Sequence, residues 1–99
     1  MPMGEIKRAD IVLSTAGRDS GRAFAVLSAA DGYAVIADGR LRRVEHPKRK
    51  KQGHLKKLGE CGGSAGEKLS NEETPTNKEL WHAVGGYIVL DGGDRDAQG

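Results

Sequence analysis

The chain has 99 residues, of which 36% are apolar and four are aromatic, so the core of its single expected domain must be small. One cysteine, Cys61, excludes an internal disulfide and a thiolate pair for zinc. The start of the sequence lacks the apolar core of a signal peptide, and no later run could span a bilayer. We therefore expect a cytoplasmic protein that makes no contact with membranes.

The formal net charge of +2 conceals a division between the two halves of the chain. Residues 1–58 carry 13 basic and six acidic side chains, whereas residues 59–99 carry three basic and eight acidic ones. Residues 40–57 alone contain nine basic residues and one acidic residue. Because the local field determines what a surface attracts, this half predicts polyanion binding; the alternative is a solvated lysine run that only maintains solubility.

Two predicted strands, Ile11–Leu13 and Ala23–Ala29, flank a loop at residues 16–22. Side chains alternate across a strand, so the second strand has two different faces. The predicted faces are Phe24, Val26 and Ser28 on one side and Ala23, Ala25 and Leu27 on the other.

The loop at residues 16–22 is predicted to be a tight turn that presents two arginines. Gly17 and Gly21 can adopt the positive φ that such a turn requires. Asp19 is expected to fold the loop by accepting backbone hydrogen bonds. Arg18 and Arg22 would then point outward at the rim of a small sheet. Either arginine could instead, or in addition, form a surface salt bridge with Asp19 or Asp38.

The next two predicted strands, Tyr33–Ala37 and Leu41–Val44, follow the turn signals Asp-Gly at 31–32 and 38–39. Residues 48–51 are expected to be fully exposed and to contribute nothing to the core. Leu55 and Leu58 are expected to anchor a last short strand. Strands at this spacing predict a mainly β domain, a small barrel at residues 9–58.

The second half of the chain is less regular. Residues 59–66 contain four glycines, and the region 59–75 is predicted to be a flexible linker. Thr76 and Glu79 match a capping box that opens a helix at Asn77–Val84, which Gly85-Gly86 is expected to end. Residues 87–90 are predicted to be another strand or an apolar patch, within a C-terminal unit at 76–90, and residues 91–99 to be a disordered tail.

The Gly-Arg-Asp-x-Gly-Arg loop within residues 12–26 resembles the KOW motif of ribosomal and transcription-factor proteins. The stretch YAVIADGRLRRV at 33–44, the basic PKRKK at 47–51 and the pair His54-Leu55 extend this similarity. Together they resemble the small bacterial KOW-domain RNA-binding proteins, which are similar to one large-subunit ribosomal protein family of archaea and eukaryotes. The resemblance covers residues 8–58 and, more weakly, 76–84. It implies an SH3-like five-stranded barrel with a short C-terminal helix, and RNA or ribosome binding; residues 59–66 and 85–90 depart from the family pattern.

RNA is therefore the expected partner, with structured ribosomal RNA as the leading candidate and ribosomal proteins as further neighbours. Arginine offers a planar, bidentate fork to phosphate, while lysine adds a point charge and affinity through counterion release. Few aromatic rings are free for base stacking; Phe24 is expected in the core, and Tyr33 is left open between packing and stacking. The residues expected to contact RNA are Arg18, Arg22, Arg40, Arg42, Arg43, Lys48, Arg49, Lys50, Lys51, His54, Lys56 and Lys57.

The alternative function is a protein-interaction module of the transcription or translation machinery, since small SH3-like barrels also dock peptides. Neither a metal site nor a cofactor is expected, because the spacing of the histidines and Cys61 does not bring two ligands together. The sequence contains neither a nucleophile elbow nor a P-loop, so we do not expect an enzyme. The oligomeric state is left open.

Overall fold

The fold is mainly β, with a five-stranded antiparallel sheet and two helices. A computed structural model describes residues 5–98, with side chains for residues 5–87. In chain order the elements are β1 (Asp10–Ser14), β2 (Ala23–Ala30), β3 (Tyr33–Ala37), β4 (Lys48–Lys51), β5 (Leu55–Glu60), α1 (Gly63–Ser70) and α2 (Asn77–Gln98). Within the described residues, neither helix combines the length and apolar composition that crossing a membrane requires.

The sheet is open but strongly curved. Its strand order is β4-β3-β2-β1-β5, so β4 and β5 are the two edges and do not pair with each other. The chain nevertheless joins them by a single 3₁₀ turn, Gln52–His54. Four interstrand spacings of about 4.8 Å would separate the edges of a flat sheet by about 19 Å. Four residue steps of extended chain reach at most about 14 Å, so the sheet must bend to bring its edges together.

Apolar side chains form two cores, one on each face of the sheet. The concave core has a large aromatic residue at its centre and consists of Ile6, Val12, Phe24, Val26, Ala34, Ile36 and Leu55. The opposite core lies under the helices and consists of Ile11, Ala23, Ala25, Ala37, Ala65, Leu80 and Val84. Alternation in β1 and β2 thus sends large side chains to one face and mostly alanines to the other. Small residues on the second face allow the helices to approach the sheet closely.

The predicted alternation of β2 is confirmed through Leu27, which packs on the same face as Ala23 and Ala25, and fails at Ser28. The pairing of β2 with β3 shifts register between Val26 and Ser28, which indicates a bulge at Leu27. After the bulge the faces exchange, so Ser28 is exposed and Ala29 packs against the concave core. The strand predictions at 11–13, 23–29 and 33–37 are confirmed, as is the tight turn at 31–32, where both residues have positive φ.

The fourth strand is not where the sequence analysis placed it. Residues 41–44 form bends and the start of a turn, because the Asp38 carboxylate accepts hydrogen bonds from the backbone N–H groups of Arg40 and Arg42, both at 2.8 Å. The backbone N–H of Asp38 donates in turn to the Arg42 carbonyl at 2.9 Å. The strand at this edge is β4, which pairs with β3 from Lys48 opposite Ile36 to Lys51 opposite Tyr33.

The C-terminal part also differs from its prediction. Residues 59–66, predicted to be part of a flexible linker, contain the end of β5 and the start of α1. Helix α2 begins at Asn77 as predicted but continues through Gly85 and Gly86 to Gln98. The region predicted as a strand or patch at 87–90 and most of the predicted tail at 91–99 are therefore helical in backbone, and Gly99 lies outside the described residues. The apolar face of α2 packs on the sheet through Leu80 and Val84, and packing of this kind sustains a helix that its glycines would weaken.

Candidate nucleic-acid interface

The loop between β1 and β2 packs against the basic segment that includes β4. The backbone N–H of Thr15 donates to the His54 carbonyl at 2.9 Å, and the Lys50 ammonium donates to the Ala16 carbonyl at 2.6 Å. Gly17 and Gly21 both have positive φ, at 88° and 90°. Two stretches that are 30 or more residues apart in sequence are therefore in direct contact.

Asp19 is the centre of this contact. Its side chain is buried and accepts hydrogen bonds from Ser14 Oγ at 2.7 Å, Lys50 Nζ at 2.6 Å and Lys48 Nζ at 2.9 Å. Burial by itself would raise the pKa of Asp19, but these three donors outweigh burial and hold the pKa well below its ordinary value of 3.8. Asp19 therefore stays ionised and fastens the loop to β4 through side-chain donors, where the sequence analysis expected backbone donors.

Lys50 does not lie where the sequence analysis expected it. Lys48 and Lys50 pair with Ile36 and Ala34 of β3, and directly opposed residues share a face of the sheet, so both lysines point to the concave side. Lys50 is only 7% exposed, and its ammonium is occupied by Asp19 and the Ala16 carbonyl. Lys50 is therefore not among the residues that can contact a ligand directly. Lys48 keeps only a third of its side chain exposed.

The arginine-rich loop at residues 38–46 is fastened to the start of α2. The Val44 backbone N–H donates to Asn77 Oδ1 at 2.8 Å, and Asn77 Nδ2 donates to the Glu45 carboxylate at 3.0 Å. These hydrogen bonds from Asn77, assisted by the charge of Arg43, lower the pKa of Glu45. The Arg40 guanidinium lies over the Trp81 ring, 5.1 Å from its centroid.

Arg22 connects the two basic loops. Its guanidinium lies 3.7 Å from the buried carboxylate of Asp38, and it also lies over the Phe24 ring at 5.7 Å. Asp38 in turn organises the 38–46 loop through its hydrogen bonds to Arg40 and Arg42. The two loops are therefore linked through one ion pair at the rim of the sheet.

Several other predicted contact residues already have partners. Arg43 pairs with Glu45 at 3.4 Å, and Lys57 pairs with Asp10 at 3.4 Å and Glu60 at 3.5 Å. Cations of this kind remain partly exposed but contribute less net positive charge to a surface. The predicted contact residues that are exposed and have no acidic partner within the described residues are Arg18, Arg40, Arg49, Lys51, His54 and Lys56. Arg42 is half-buried and donates to the His46 carbonyl at 3.4 Å.

Tyr33 and Arg49 form a stack on the convex face of the sheet. The Arg49 guanidinium carbon lies 3.8 Å from the centroid of the Tyr33 ring. Tyr33 is half-buried and Arg49 is exposed. Phe24, in contrast, is 1% exposed and belongs to the concave core, as the sequence analysis predicted.

Cys61 lies between β5 and α1 and is half-buried. Burial raises the pKa of its thiol to about 11, and the nearby charge of Asp10 adds to this effect. At neutral pH the sulfur is therefore a protonated thiol. Across residues 5–87, whose side chains the structure describes, no group of three or more His, Cys, Asp or Glu side chains is placed to hold a metal ion.

The sequence analysis missed two residues that build this surface. The sequence analysis considered Asp38 as a turn residue and as an ion-pair partner of Arg18 or Arg22, and it considered Asn77 only within a capping box. Both in fact hold the 38–46 loop by side-chain hydrogen bonds to backbone N–H groups. The Asp-Gly pair at 38–39 was the available signal for Asp38, because aspartate commonly bonds the backbone two residues on. Asn77 gave no such signal, since its partner Val44 is 33 residues away.

Neither a scan against protein-family models nor a search of curated proteins finds a match to this chain.

Proposed function

We propose that this chain is an RNA-binding protein of the KOW type whose sheet is an SH3-like barrel. Its ligand is structured RNA, with ribosomal RNA as the leading candidate, and it binds mainly through phosphates. The proposal joins the sequence resemblance at residues 8–58 to the geometry of the basic loops.

The curvature of the sheet supports the barrel. In a small barrel of this kind one long strand belongs to both halves, and a bulge lets it bend. Here the longest strand is β2, which lies in the middle of the sheet. Residues 23–25 of β2 pair with β1, and most of the residues that pair with β3 lie beyond the bulge at Leu27. The three-residue turn between the edge strands supports the same arrangement.

The observation that carries the RNA proposal is the contact between the β1–β2 loop and the β4–β5 segment. Arg18 lies on the β1–β2 loop, and Lys51 and His54 lie on the β4–β5 segment. The loop and the segment are joined by the Thr15–His54 hydrogen bond and by the Asp19–Lys50 ion pair. Buried pairing of Lys50 thus builds a rigid support for exposed cations on either side of it. A fixed group of cations on a short loop and a strand end suits a polyanion with regularly spaced charges.

The chemistry favours phosphate over base recognition. Guanidinium and ammonium groups bind phosphate oxygens without reading sequence, and they release counterions when they do so. Support for the alternative, peptide docking, is weaker. Among residues 5–87, the large apolar side chains that are exposed are Leu41, in the 38–46 loop, and Leu58, on β5.

A salt titration of RNA binding tests the proposal. Fluorescence anisotropy would measure the affinity of the protein for a labelled, fully paired RNA hairpin at several salt concentrations. The double variant Arg18→Gln/Lys51→Gln should weaken binding and flatten the slope of log K against log salt by about 1.4 to 1.8, because each lost phosphate contact removes about 0.7 to 0.9. Lys78→Gln is the matched control, since Lys78 is an exposed lysine at the start of α2 in the acidic half of the chain.

The control variant should bind as tightly as the original protein. A slope that is the same in the double variant and the original protein would show that Arg18 and Lys51 do not touch RNA. Absence of salt-dependent binding to any structured RNA, including isolated ribosomal subunits in a sedimentation assay, would overturn the proposed function.

A further inference from the structure

We propose that the Arg49–Tyr33 stack is a binding site for one unpaired nucleobase, which lies flat against the outer face of the Arg49 guanidinium. This inference rests on the proposed function and adds to it a substrate class: RNA in which an unpaired base, such as a bulge, lies next to a helical stem.

The position of Arg49 on the sheet is the first support. Arg49 and Lys51 of β4 pair with Val35 and Tyr33 of β3, so all four side chains lie on the convex face, opposite to Lys48 and Lys50. Arg49 reaches diagonally along this face to cover the Tyr33 ring at 3.8 Å. The ring lies directly beneath the guanidinium and holds it in place by stacking and cation–π attraction.

The second support is the unused capacity of the Arg49 side chain. Among the described residues, the Arg49 guanidinium has neither an acidic partner within 4.0 Å nor a hydrogen-bond acceptor. Lys48 and Lys50, its neighbours on the same strand, are both paired with Asp19. The outer face of the guanidinium can therefore accept a second planar group, while its N–H groups can still bind a phosphate or a base edge.

The third support is the flat surface beside the stack. Ala30 lies directly opposite Tyr33 on β2, and Ser28 lies opposite Val35. Both are small and exposed, so at these two positions no large side chain rises above the plane of the sheet. A nucleobase needs such open space to lie parallel to the guanidinium, and bases are known to stack on arginine planes as well as on aromatic rings.

Lys51 completes the arrangement. It pairs with Tyr33 at the end of β4 and is exposed on the same face as Arg49. An ammonium on the residue that pairs with Tyr33 suits the phosphate of the stacked nucleotide. The site therefore combines a flat platform for a base with a point charge for its backbone.

The test compares two RNA hairpins that differ at one position. One contains a single bulged purine, and the other contains an abasic residue at the same bulge, so the phosphates and the bend of the stem are shared. The original protein should bind the hairpin with the bulged purine at least about fivefold more tightly, because stacking of a single base contributes this much affinity. Arg49→Lys should abolish this preference because it keeps the charge and removes the plane, whereas the control Arg18→Lys should retain it.

A pair of Tyr33 variants separates a binding role from a packing role. Tyr33→Phe keeps the supporting ring and should retain the preference, while Tyr33→Leu should lose it together with the support for Arg49. If the original protein binds both hairpins equally, or if Arg49→Lys keeps the preference, the stacking site is overturned and phosphate binding stands. If the original protein binds neither hairpin, the proposed function falls and the stacking site falls with it.

Discussion

Individual residues decide how the loops of this protein meet its second helix. Gly39 has a φ of +83°, and a Cβ added there would overlap the carbonyl oxygen of Asn77 and lie 2.9 Å from the backbone nitrogen of Trp81. The first turn of α2 therefore rests directly on the backbone of the 38–46 loop. Gly32 has nearly the same φ, +81°, but a Cβ there would meet nothing within 4 Å.

The matched substitutions Gly39→Ala and Gly32→Ala separate these two effects. Both variants acquire the strain of a left-handed backbone, about 1 kcal/mol. Gly39→Ala must also displace α2, which should lower the free energy of unfolding by about 1 to 3 kcal/mol more. Urea denaturation followed by Trp81 fluorescence measures both losses, and equal losses would show that α2 does not rest on this residue.

The buried Asp19 predicts a pH dependence of stability. Its folded-state pKa lies below the ordinary value of 3.8, so its carboxylate stabilises the fold above that pH, and the contribution is lost as the pH falls through the folded-state pKa. Asp19→Asn leaves Lys50 buried without a counterion and should cost about 3 kcal/mol at pH 7. Denaturation at several pH values should show the difference between the two proteins shrinking below pH 3.8.

Asp31→Asn is the control for this measurement, because Asp31 is an exposed turn residue whose positive φ asparagine tolerates. It should change the free energy of unfolding little. If the cost of Asp19→Asn were constant from neutral to strongly acidic pH, the carboxylate would not be what holds the loop to β4.

At the scale of elements, both helices are held by contacts with distant parts of the chain. Arg8 Nε donates at 2.8 Å to the Leu69 carbonyl in the last turn of α1, which also accepts a hydrogen bond from the Glu72 backbone N–H at 3.1 Å. Lys68 of α1 pairs with Glu79 of α2 at 3.0 Å. Helix α1, only eight residues long, would not persist without such contacts and the burial of Ala65 and Leu69.

The predicted capping box of α2 is confirmed in both directions. The Glu79 backbone N–H donates to Thr76 Oγ1 at 3.1 Å, and the Thr76 backbone N–H donates to Glu79 Oε1 at 2.8 Å. Thr76→Ala should therefore lower the free energy of unfolding by about 1 kcal/mol. Thr76→Ser keeps the capping hydroxyl and should retain most of this stabilisation. Thermal unfolding measures both, and an undiminished melting temperature in Thr76→Ala would mean that tertiary packing alone fixes the start of α2.

At the scale of the whole molecule, the predictable parts of the fold are those whose signals are local. Alternation over a few residues predicts β1 to β3, and a four-residue pattern predicts the start of α2. The edge strand β4 escaped prediction because its inward lysines are acceptable only beside Asp19, which is 29 residues from Lys48 and 31 from Lys50. The basic character of the surface could also be predicted, because it depends on local composition. Which of its cations have acidic partners could not be predicted from the sequence.

The position of β4 and β5 at the two edges of the sheet has a consequence for encounters between copies of this protein. A free strand edge presents unpaired N–H and C=O groups that can recruit a strand from another molecule. Here both edges carry exposed cations that have no acidic partner among the described residues: Arg49 and Lys51 on one edge, and Lys56 on the other. Two copies approaching edge to edge would bring like charges together, so these charges oppose aggregation through the free edges.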